Sequence, residues 1–377
     1  MIPSIEKTSP EAINVSANAD FISRKVAEFQ ERGYVVWPRL FDAAFIEALR
    51  RAYSVALQRK VDNFCLRAVR LKEKASNSDV LNDFNPKGGN HDVNRWNMHL
   101  PSRHPLFDER LFADPTILSV VESLMGADCV CYLIASDTPF PGATTQRAHQ
   151  DFSRFSIAVN IPLVDCTEEN GPLELWPRSH RPLTGSGFSE SKYLISAEGI
   201  RGILTSVPSE FCLLDQGSVI IRDHRLVHRG TANVSDAPRP MLSIYYVRPA
   251  PIPYRFVADF GARVALFLRR WGRGKGDQIQ RLKTFSLGNI LGRIVEEYSL
   301  SDRDYRRPIP TSVWAGLSPR ARKLLRYASV DSSAGLRQPR GSMQGTWRFL
   351  EGWTKSAYGF SVATITGKPR NPDEEDH

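Results

Sequence analysis

The stretch RAHQDFSRFSIAVNIPLV, residues 147–164, decides the fold and raises the question of function. Successive side chains of a β-strand point to opposite faces, and this stretch alternates with that period. The apolar side chains at its odd positions are Phe155, Ile157, Val159, Ile161 and Leu163. His149 and Asp151 lie in the same phase at the head of the run. If the strand is unbroken, both residues therefore point into the apolar interior.

A carboxylate inside a β-core is costly unless a cation meets it, and a neighbouring imidazole supplies a second metal ligand. His149 and Asp151 form too short a motif to decide this alone. His228 ends a second β-branched run, GSVIIRDHRLVH, and completes a set of two histidines and one carboxylate. Such a set leaves three positions open on an iron ion, which is the arrangement of non-haem Fe(II) oxygenases.

Two of those open positions can be chelated by the keto-acid end of 2-oxoglutarate. Its distal carboxylate then needs a buried, permanently charged, bidentate donor, and arginine is suited to that role. Arg239 follows His228 by eleven residues and enters the next predicted strand. The pattern therefore predicts Fe(II) and 2-oxoglutarate as cofactors, with Arg239 as the cosubstrate anchor.

The surrounding pattern predicts one β-core with helices outside it. From Cys129 to Val247, short β-branched runs alternate with the turn sequences PFPGA, ENGP, DQGS and SDAPRP, which is typical of a barrel or jelly roll. Before that region, amphipathic periodicity predicts helices over 19–33 and 42–60, the second capped by Asp42, and a third over 114–126. A short strand is expected at 34–40, and residues 73–92 are rich in turn formers.

These motifs together resemble the phytanoyl-CoA dioxygenase family of Fe(II)/2-oxoglutarate oxygenases. The resemblance covers about residues 20–250 and is carried by HQD at 149–151, ENGPLELWPRSH at 169–180, HRGTANVSDAPRPML at 228–242 and YVRP at 246–249. It implies a mainly β core with flanking helices, a double-stranded β-helix of the jelly-roll, cupin-like kind. It also implies that His149, Asp151 and His228 are the catalytic iron ligands.

The resemblance assigns further roles around the cosubstrate. Arg239 is expected to anchor 2-oxoglutarate, and Gln146 stands where such enzymes place a polar contact to cosubstrate or substrate. Some members carry a serine two residues after the distal histidine, whereas this chain has Gly230 there. Thr231 is therefore the candidate replacement.

The implied activity is a dioxygenase that uses O2 and decarboxylates 2-oxoglutarate to succinate. The expected substrate is a small to medium, largely apolar metabolite of secondary metabolism or lipid modification, oxidised at an unactivated C–H bond. Hydroxylation is preferred to halogenation because Asp151 keeps the carboxylate that halogenating relatives lack. Desaturation, epoxidation and ring formation stay open, as do the substrate and the oligomeric state.

Other polar residues allow two interpretations each. His224 competes with His228 as a ligand or lines the substrate side, and Trp176 is either core packing or a substrate contact. Arg95, Trp96 and Asn97 face the mouth of the pocket or belong to a plain loop. The candidate substrate contacts are thus Arg95, Asn97, Trp176 and His224. His180 is expected to close a loop by hydrogen bonding, and the remaining histidines expected in loops are His91, His99 and His104.

The net charge of +9 is concentrated in one region. Residues 251–350 contain 19 Lys and Arg against 7 Asp and Glu. No nucleic-acid-reading motif accompanies this charge, so nucleic acid is not an expected partner. An anionic substrate, for example one linked to CoA or a carrier and held by Arg269, Arg270, Arg273 and Lys275, is one alternative. Contact with a membrane surface is a less favoured one.

The domain prediction follows from these composition changes. We expect a flexible N-terminus at 1–18, the oxygenase domain at 19–250, a basic helical extension at 251–365 and a flexible tail at 366–377. Two apolar stripes, at 256–271 and 287–298, predict helices that pack on the barrel as a lid or support. Scattered cysteines and the lack of a signal or membrane-spanning pattern predict a soluble, cytoplasmic protein.

Two rival classes share this scaffold. One is a cupin-like metal-binding protein without oxygenase activity, which would have no need of Arg239. The other is a non-catalytic binding protein. The intact ligand set and anchor favour the oxygenase.

Overall fold

The computed structural model describes residues 19–72, 94–183, 187–191, 193–248, 309–326, 328 and 330–331, all of which fall in one compact unit. Its helices are α1 (Ala19–Arg32), α2 (Ala43–Lys72), α3 (Arg110–Ala113), α4 (Pro115–Met125), α5 (Ala197–Ser206), α6 (Thr311–Gly316) and α7 (Pro319–Leu324). Its strands are β1 (Tyr34–Trp37), β2 (Arg95–His99), β3 (Val130–Pro139), β4 (Ile157–Pro162), β5 (Leu173–Leu175), β6 (Glu210–Cys212), β7 (Val219–Asp223), β8 (His228–Gly230), β9 (Met241–Val247), β10 (Ile309–Pro310) and β11 (Val330–Asp331).

Local sequence signals set the N-terminal helices. Helix α1 ends at Arg32, directly before Gly33, which has φ +87°. A Cβ at position 33 would lie 2.6 Å from the Nδ1 atom of His180. Asp42 caps α2 by accepting a hydrogen bond from the Phe45 N–H at 2.8 Å, and Asp114 caps α4 through the Thr116 N–H at 2.8 Å. All three predicted helices are present, and α2 extends beyond the predicted end at residue 60 to Lys72.

Two antiparallel sheets form the core. The larger has the strand order β1-β7-β4-β9-β3-β2 and the smaller the order β6-β5-β8. A buried cluster joins their facing surfaces, with Leu173, Leu175 and Cys212 from the smaller sheet and Ile220 and Met241 from the larger. This arrangement confirms the predicted fold class, a mainly β core of the double-stranded β-helix kind with flanking helices.

The outer face of the larger sheet is covered by helices. Ile157, Val159 and Ile161 of β4 belong to a buried cluster that also contains Phe29 of α1 and Leu49 of α2. The alternating apolar positions of β4 therefore pack under the helices, and the intervening positions face the inside of the barrel. Both faces are buried, which is why every residue of β4 is buried.

The condition that one strand runs unbroken from His149 to Leu163 is not met. His149 forms a β-bridge with His228 of the smaller sheet, whereas β4 begins only at Ile157 in the larger sheet. The segment between them has no regular strand structure, because the chain crosses from one sheet to the other there. Because of this crossing, the alternation of side chains in β4 does not continue back to His149 and Asp151. These two residues therefore do not lie on the apolar face of β4.

The basic C-terminal region is described only in part. Helix α7 is tied to the core by the Arg320–Glu122 ion pair at 2.8 Å, and the Ser318 N–H donates to Glu109 Oε2 at 2.9 Å. The predicted flexible ends, the predicted helices at 256–271 and 287–298, and His91 lie outside the described residues, as do the four basic residues suggested for a CoA-linked substrate. None of the helices within the described ranges is both long and apolar enough to cross a membrane.

Candidate active site

His228 converges with His149 and Asp151, which it follows by more than seventy residues, where the two sheets meet. The N–H of His149 donates to the carbonyl of His228 at 2.9 Å, and the N–H of His228 donates back at 3.0 Å. Asp151 follows two residues later, and its N–H donates to the carbonyl of His224 at 3.0 Å. The potential ligand atoms of His149, Asp151 and His228 all lie within 4.8 Å of one another. These three residues can therefore hold one metal ion.

Backbone carbonyls orient both imidazoles for metal binding. His149 Nδ1 lies 2.7 Å from the carbonyl oxygen of Arg147, and His228 Nδ1 lies 2.9 Å from that of Leu226. A carbonyl oxygen only accepts hydrogen bonds, so each Nδ1 carries the proton and each Nε2 keeps its lone pair. His149 Nε2 is 3.6 Å from Asp151 Oδ1, and His228 Nε2 is 3.5 Å from Oδ2. Both lone pairs are thus presented beside the carboxylate.

The local charges favour the protonation states that a metal site needs at Asp151 and His228. Burial alone would raise the pKa of Asp151, but the Arg222 guanidinium holds it well below its usual value. Burial, reinforced by the same guanidinium, holds the pKa of His228 well below its usual value. For His149, burial opposes protonation, yet its hydrogen bond and charge interaction with Asp151 raise its pKa. The carboxylate is therefore ionised, His228 is neutral, and His149 is where protons compete with a metal ion.

Arg239 is a buried cation with an unused donor. Its side chain is 2% exposed, and its Nε and Nη2 atoms donate to the carbonyl of Gly171 at 3.1 and 2.7 Å. Its Nη1 atom is buried without a hydrogen-bond partner, and no carboxylate of the described residues forms an ion pair with it. Burial lowers the pKa of Arg239, which expresses the cost of keeping this charge away from water. An anion placed against Nη1 would remove that cost.

A second buried arginine fills the space that the family serine would need. A Cβ on Gly230 would lie 2.5 Å from Arg95 Nη1 and 2.8 Å from Gln146 Oε1. Arg95 is 1% exposed, and its Nη1 atom donates to Asp137 Oδ2 at 3.0 Å and its Nη2 atom to the Thr231 carbonyl at 2.9 Å. Only glycine at position 230 leaves room for this guanidinium.

Gln146 and Thr231 have defined partners in the same region. The Gly230 N–H donates to Gln146 Oε1 at 2.8 Å. The carboxamide of Gln146 therefore lies beside Gly230, which follows His228 by two residues. The hydroxyl of Thr231 donates to the carbonyl of Pro172 at 2.8 Å. That hydroxyl proton is therefore already engaged by the backbone.

The predicted substrate contacts are placed differently. Arg95 and Asn97 lie on β2, so the loop interpretation is wrong for both, and buried Arg95 does not stand at an open mouth. Trp176 is 3% exposed and packs with Ile203 and Val227, in agreement with core packing. His224 follows β7 and is fully buried. Its Nε2 atom lies 4.0 Å from Asp151 Oδ2 and has no hydrogen-bond partner among the described residues, whereas its Nδ1 atom lies 2.9 Å from Ser156 Oγ.

The other histidines divide as follows. His180 Nε2 donates to the carbonyl of Gln30 at 3.1 Å, as its loop-closing interpretation predicts. Burial lowers the pKa of both His180 and His224 to about 3. His99 belongs to β2 and not to a loop, whereas His104 is exposed in one.

Two features of the site were missed by sequence reasoning. Arg222 on β7 donates from Nη2 to Asp151 Oδ2 at 2.7 Å, and the only sequence signal was a charged residue inside an apolar strand. Tyr132, Phe152 and Tyr245 are half-buried and are here called the aromatic cluster, in which Tyr132 packs against the other two rings. The ring centroids of Phe152 and Tyr245 lie 4.9 and 4.3 Å from that of His224.

The fold and the ligand set define a class of β-helix protein that can bind a metal ion. A family model described as phytanoyl-CoA dioxygenase matches residues 29–241, and the chain belongs to that family. This confirms the predicted family and the cofactor set of Fe(II), 2-oxoglutarate and O2 that goes with it.

Several solved structures resemble the chain at low identity. The non-heme alpha ketoglutarate dependent carbocyclase SnoK from nogalamycin biosynthesis is 19% identical, with a TM-score of 0.45 over 63% of this chain and 87% of SnoK. EctD from S. alaskensis with bound Fe is 18% identical, with a TM-score of 0.43 over 66% of this chain and 83% of EctD. HygX from Streptomyces hygroscopicus with nickel and 2-oxoglutarate bound is 13% identical, with a TM-score of 0.42 over 59% of this chain and 85% of HygX.

Proposed function

We propose that this protein is an Fe(II)/2-oxoglutarate-dependent dioxygenase that hydroxylates an unactivated C–H bond of a small to medium, largely apolar metabolite. The observation that carries the proposal is Arg239, a buried guanidinium with an unpaired Nη1 atom in a protein that also assembles two histidines and a carboxylate. A protein that only bound a metal ion would need the second feature and not the first.

The donor set fits Fe(II). Two neutral imidazole nitrogens and one carboxylate oxygen are the ligands of the non-haem iron class, so His149, Asp151 and His228 would hold the ion. When bound, Fe(II), 2-oxoglutarate and O2 supply the oxidising chemistry, in which decarboxylation of 2-oxoglutarate to succinate is coupled to oxidation of the substrate. The protein holds the ligands in place before the ion arrives, because the bridge between His149 and His228 is formed by the backbone.

Arg239 would bind the distal carboxylate of 2-oxoglutarate through Nη1. The Gly171 carbonyl occupies its other two donor atoms and fixes the plane of the guanidinium. Arg95 adds a second positive charge whose repulsion contributes to the lowered pKa of Arg239. Two buried cations, offset in part by Asp137, favour a dianionic cosubstrate over a neutral one.

The aromatic cluster supports an apolar substrate. Tyr132, Phe152 and Tyr245 are only half-buried, and they adjoin the side of Asp151 on which His224 lies. Large aromatic faces contribute apolar contact area to a ligand without requiring a charged partner. Because Asp151 retains its carboxylate, the site offers no vacant protein ligand position for a halide. Hydroxylation is therefore preferred to halogenation as the outcome of substrate oxidation.

An anaerobic titration tests this proposal. Wild-type protein receives Fe(II) and then 2-oxoglutarate, and the visible metal-to-ligand charge-transfer band of the chelated cosubstrate is followed. We expect the band in the wild type and a weaker cosubstrate affinity in Arg239→Ala. Arg229→Ala is the matched control, because Arg229 pairs with Glu174 at 2.6 Å instead of facing an empty donor site.

Turnover supplies the second arm. Under O2, succinate should form from 2-oxoglutarate, and a library of apolar metabolites should accelerate it where a substrate is present. Folded, iron-bound protein that gives neither the band nor succinate would overturn the proposal. The chain would then be a cupin-like metal-binding protein or a non-catalytic binding protein.

A further inference from the structure

A line of polar side chains crosses the inner face of the larger sheet and ends at Asp151. Asn160 on β4 donates from Nδ2 to Ser243 Oγ on β9 at 2.8 Å. Arg222 on β7 donates from Nε to Asn160 Oδ1 at 3.2 Å and from Nη2 to Asp151 Oδ2 at 2.7 Å. Ser243, Asn160 and Arg222 are 6%, 5% and 4% exposed. Three neighbouring strands thus contribute one buried network to a single carboxylate.

Folding stability gives little reason for such a network. Replacing a buried ion pair with apolar side chains of similar volume is often neutral or stabilising. The immediate neighbours of Arg222 on this face include apolar side chains, with Ala158 directly opposite it and Ile220 two residues earlier on β7. An apolar residue in place of Arg222 would suit this surface. The network is therefore better explained by its effect on Asp151, the carboxylate at which it ends.

Arg222 contacts two of the three candidate ligands. Besides the bond to Asp151 Oδ2, its Nη1 atom lies 3.5 Å from His228 Nδ1. The guanidinium is planar and is held by Asn160 at Nε, so it cannot rotate away without losing a buried hydrogen bond. Asp151 Oδ1, which Arg222 does not hold, lies on the side of His149.

We infer that Arg222 is a positioning residue that fixes the Asp151 carboxylate toward the metal ion and places a permanent positive charge beside it. This inference rests on the proposed function, since it concerns the same metal ion. Partners that orient a ligand from outside typically change metal affinity by about 10–100-fold. Removing a fixed charge beside a ligand also changes the electronic transitions of the bound ion.

The test is metal binding, measured apart from turnover. Purified full-length wild type, Arg222→Met and Arg222→Lys are titrated anaerobically with Co(II), whose ligand-field bands report affinity and coordination. They are then titrated with Fe(II) plus 2-oxoglutarate for the charge-transfer band. We expect Arg222→Met to lose about 10–100-fold in metal affinity and to shift both spectra. Arg222→Lys, which keeps the charge without the planar fork, should recover part of the affinity.

Two controls separate positioning from damage to the fold. Arg229→Met removes an arginine beside His228 in the sequence, but one that pairs with Glu174, and it should bind metal like the wild type. Asn160→Ala leaves the Arg222–Asp151 contact in place and removes its support, so it should weaken metal binding less than Arg222→Met. If Arg222→Met does not fold, Arg222→Lys and Asn160→Ala carry the test.

The outcomes are distinguishable from failure of the proposed function. Wild type that binds neither metal contradicts the proposed oxygenase itself. Wild type that binds metal, with unchanged affinity and spectra in the folded Arg222 and Asn160 variants, overturns the inference alone. Loss of affinity in Arg229→Met equal to that in Arg222→Met would also overturn it, because the effect would then not depend on contact with Asp151.

Discussion

Arg222 and Arg239 are both buried arginines near the candidate active site, yet their surroundings differ. Arg222 is matched by the Asp151 carboxylate at 2.7 Å and by Asn160 at 3.2 Å. Arg239 is matched only by a backbone carbonyl, and its Nη1 atom has no hydrogen-bond partner. Removing one partner of a buried ion pair leaves an uncompensated charge in the protein, whereas removing a lone buried cation takes such a charge away. The surroundings of Arg222 indicate a role in holding Asp151. Those of Arg239 indicate that it binds a ligand that carries a negative charge.

The largest expected effect comes from removing the carboxylate partner of Arg222, which would leave it a buried arginine without an ion pair, like Arg239. Asp151→Ala removes one of three candidate metal ligands and leaves the Arg222 guanidinium buried without its carboxylate. We expect loss of metal binding and of 2-oxoglutarate turnover, together with a loss of about 3–5 kcal/mol in the free energy of unfolding. Metal titration and urea denaturation measure the two effects. Glu174→Ala, which breaks the more exposed pair with Arg229, is the control and should retain metal binding. Unchanged metal affinity in Asp151→Ala would remove Asp151 from the ligand set.

The second prediction contrasts the two arginines directly by substituting each with methionine. Arg222→Met leaves the Asp151 carboxylate without its permanently charged partner in the metal-free protein, so the free energy of unfolding should fall by about 3 kcal/mol. Arg239→Met removes a lone buried charge, so the free energy of unfolding should stay level or rise by about 1–2 kcal/mol while 2-oxoglutarate affinity is lost. Urea denaturation of the metal-free proteins measures both changes. If the free energy of unfolding fell by a similar amount in both variants, the presence or absence of a carboxylate partner would not determine what each arginine contributes to stability.

The third prediction concerns the pocket beside Arg239. Gly230→Ser restores the residue type that some family members carry, but its Cβ would lie 2.5 Å from Arg95 Nη1. Displacing that guanidinium should lower the free energy of unfolding by about 1–3 kcal/mol, as overpacking typically does. It should also weaken 2-oxoglutarate binding, measured by the charge-transfer titration. The double variant Gly230→Ser with Arg95→Ala makes room for the hydroxymethyl group and should be more stable than Gly230→Ser alone. If the double variant is no more stable, Arg95 is not what excludes a side chain at 230.

The sequence was sufficient to predict the fold class and to single out the three side chains that the structure brings together as a candidate ligand set, because short-range patterns carry both. Turn sequences between β-branched runs indicated the barrel, and His149, Asp151 and His228 stood in recognisable local motifs. Arg239 was also predictable, from its spacing after His228. These features depend on the order and spacing of residues that are close in the sequence, so they can be read from the sequence directly.

What could not be predicted depends on contacts between distant strands. The phase of His149 relative to β4 was wrong because the chain changes sheets between Asp151 and Ile157. Arg95 lies 135 residues before Gly230, and nothing in either local pattern showed that one fills the space left by the other. The link from Arg222 to Asp151 likewise needs the register of β7 against β4.

The last prediction is a gradual dependence of stability on pH that comes from histidines outside the candidate ligand set. Burial lowers the pKa of His180 and His224 to about 3, below the value of about 6.5 expected in the unfolded chain. The unfolded state therefore binds more protons between these two values. Stability from each neutral histidine is fully present above pH 6.5 and is lost as the pH falls toward 3, by at most about 1.4 kcal/mol per pH unit for each histidine.

Urea denaturation of the metal-free protein between pH 8 and pH 4 measures this slope. His180→Gln keeps a side chain that can donate to the carbonyl of Gln30 but cannot take up a proton, so its acid slope should be shallower than that of the wild type by one histidine. The two proteins should differ by a constant amount above pH 7, where both histidines are neutral in either state. Identical slopes below pH 6.5 would mean that His180 does not stay neutral in the folded protein. The acid sensitivity would then come from other groups such as His224. It would not come from His149, because a histidine with a raised pKa stabilises the folded protein when it is protonated.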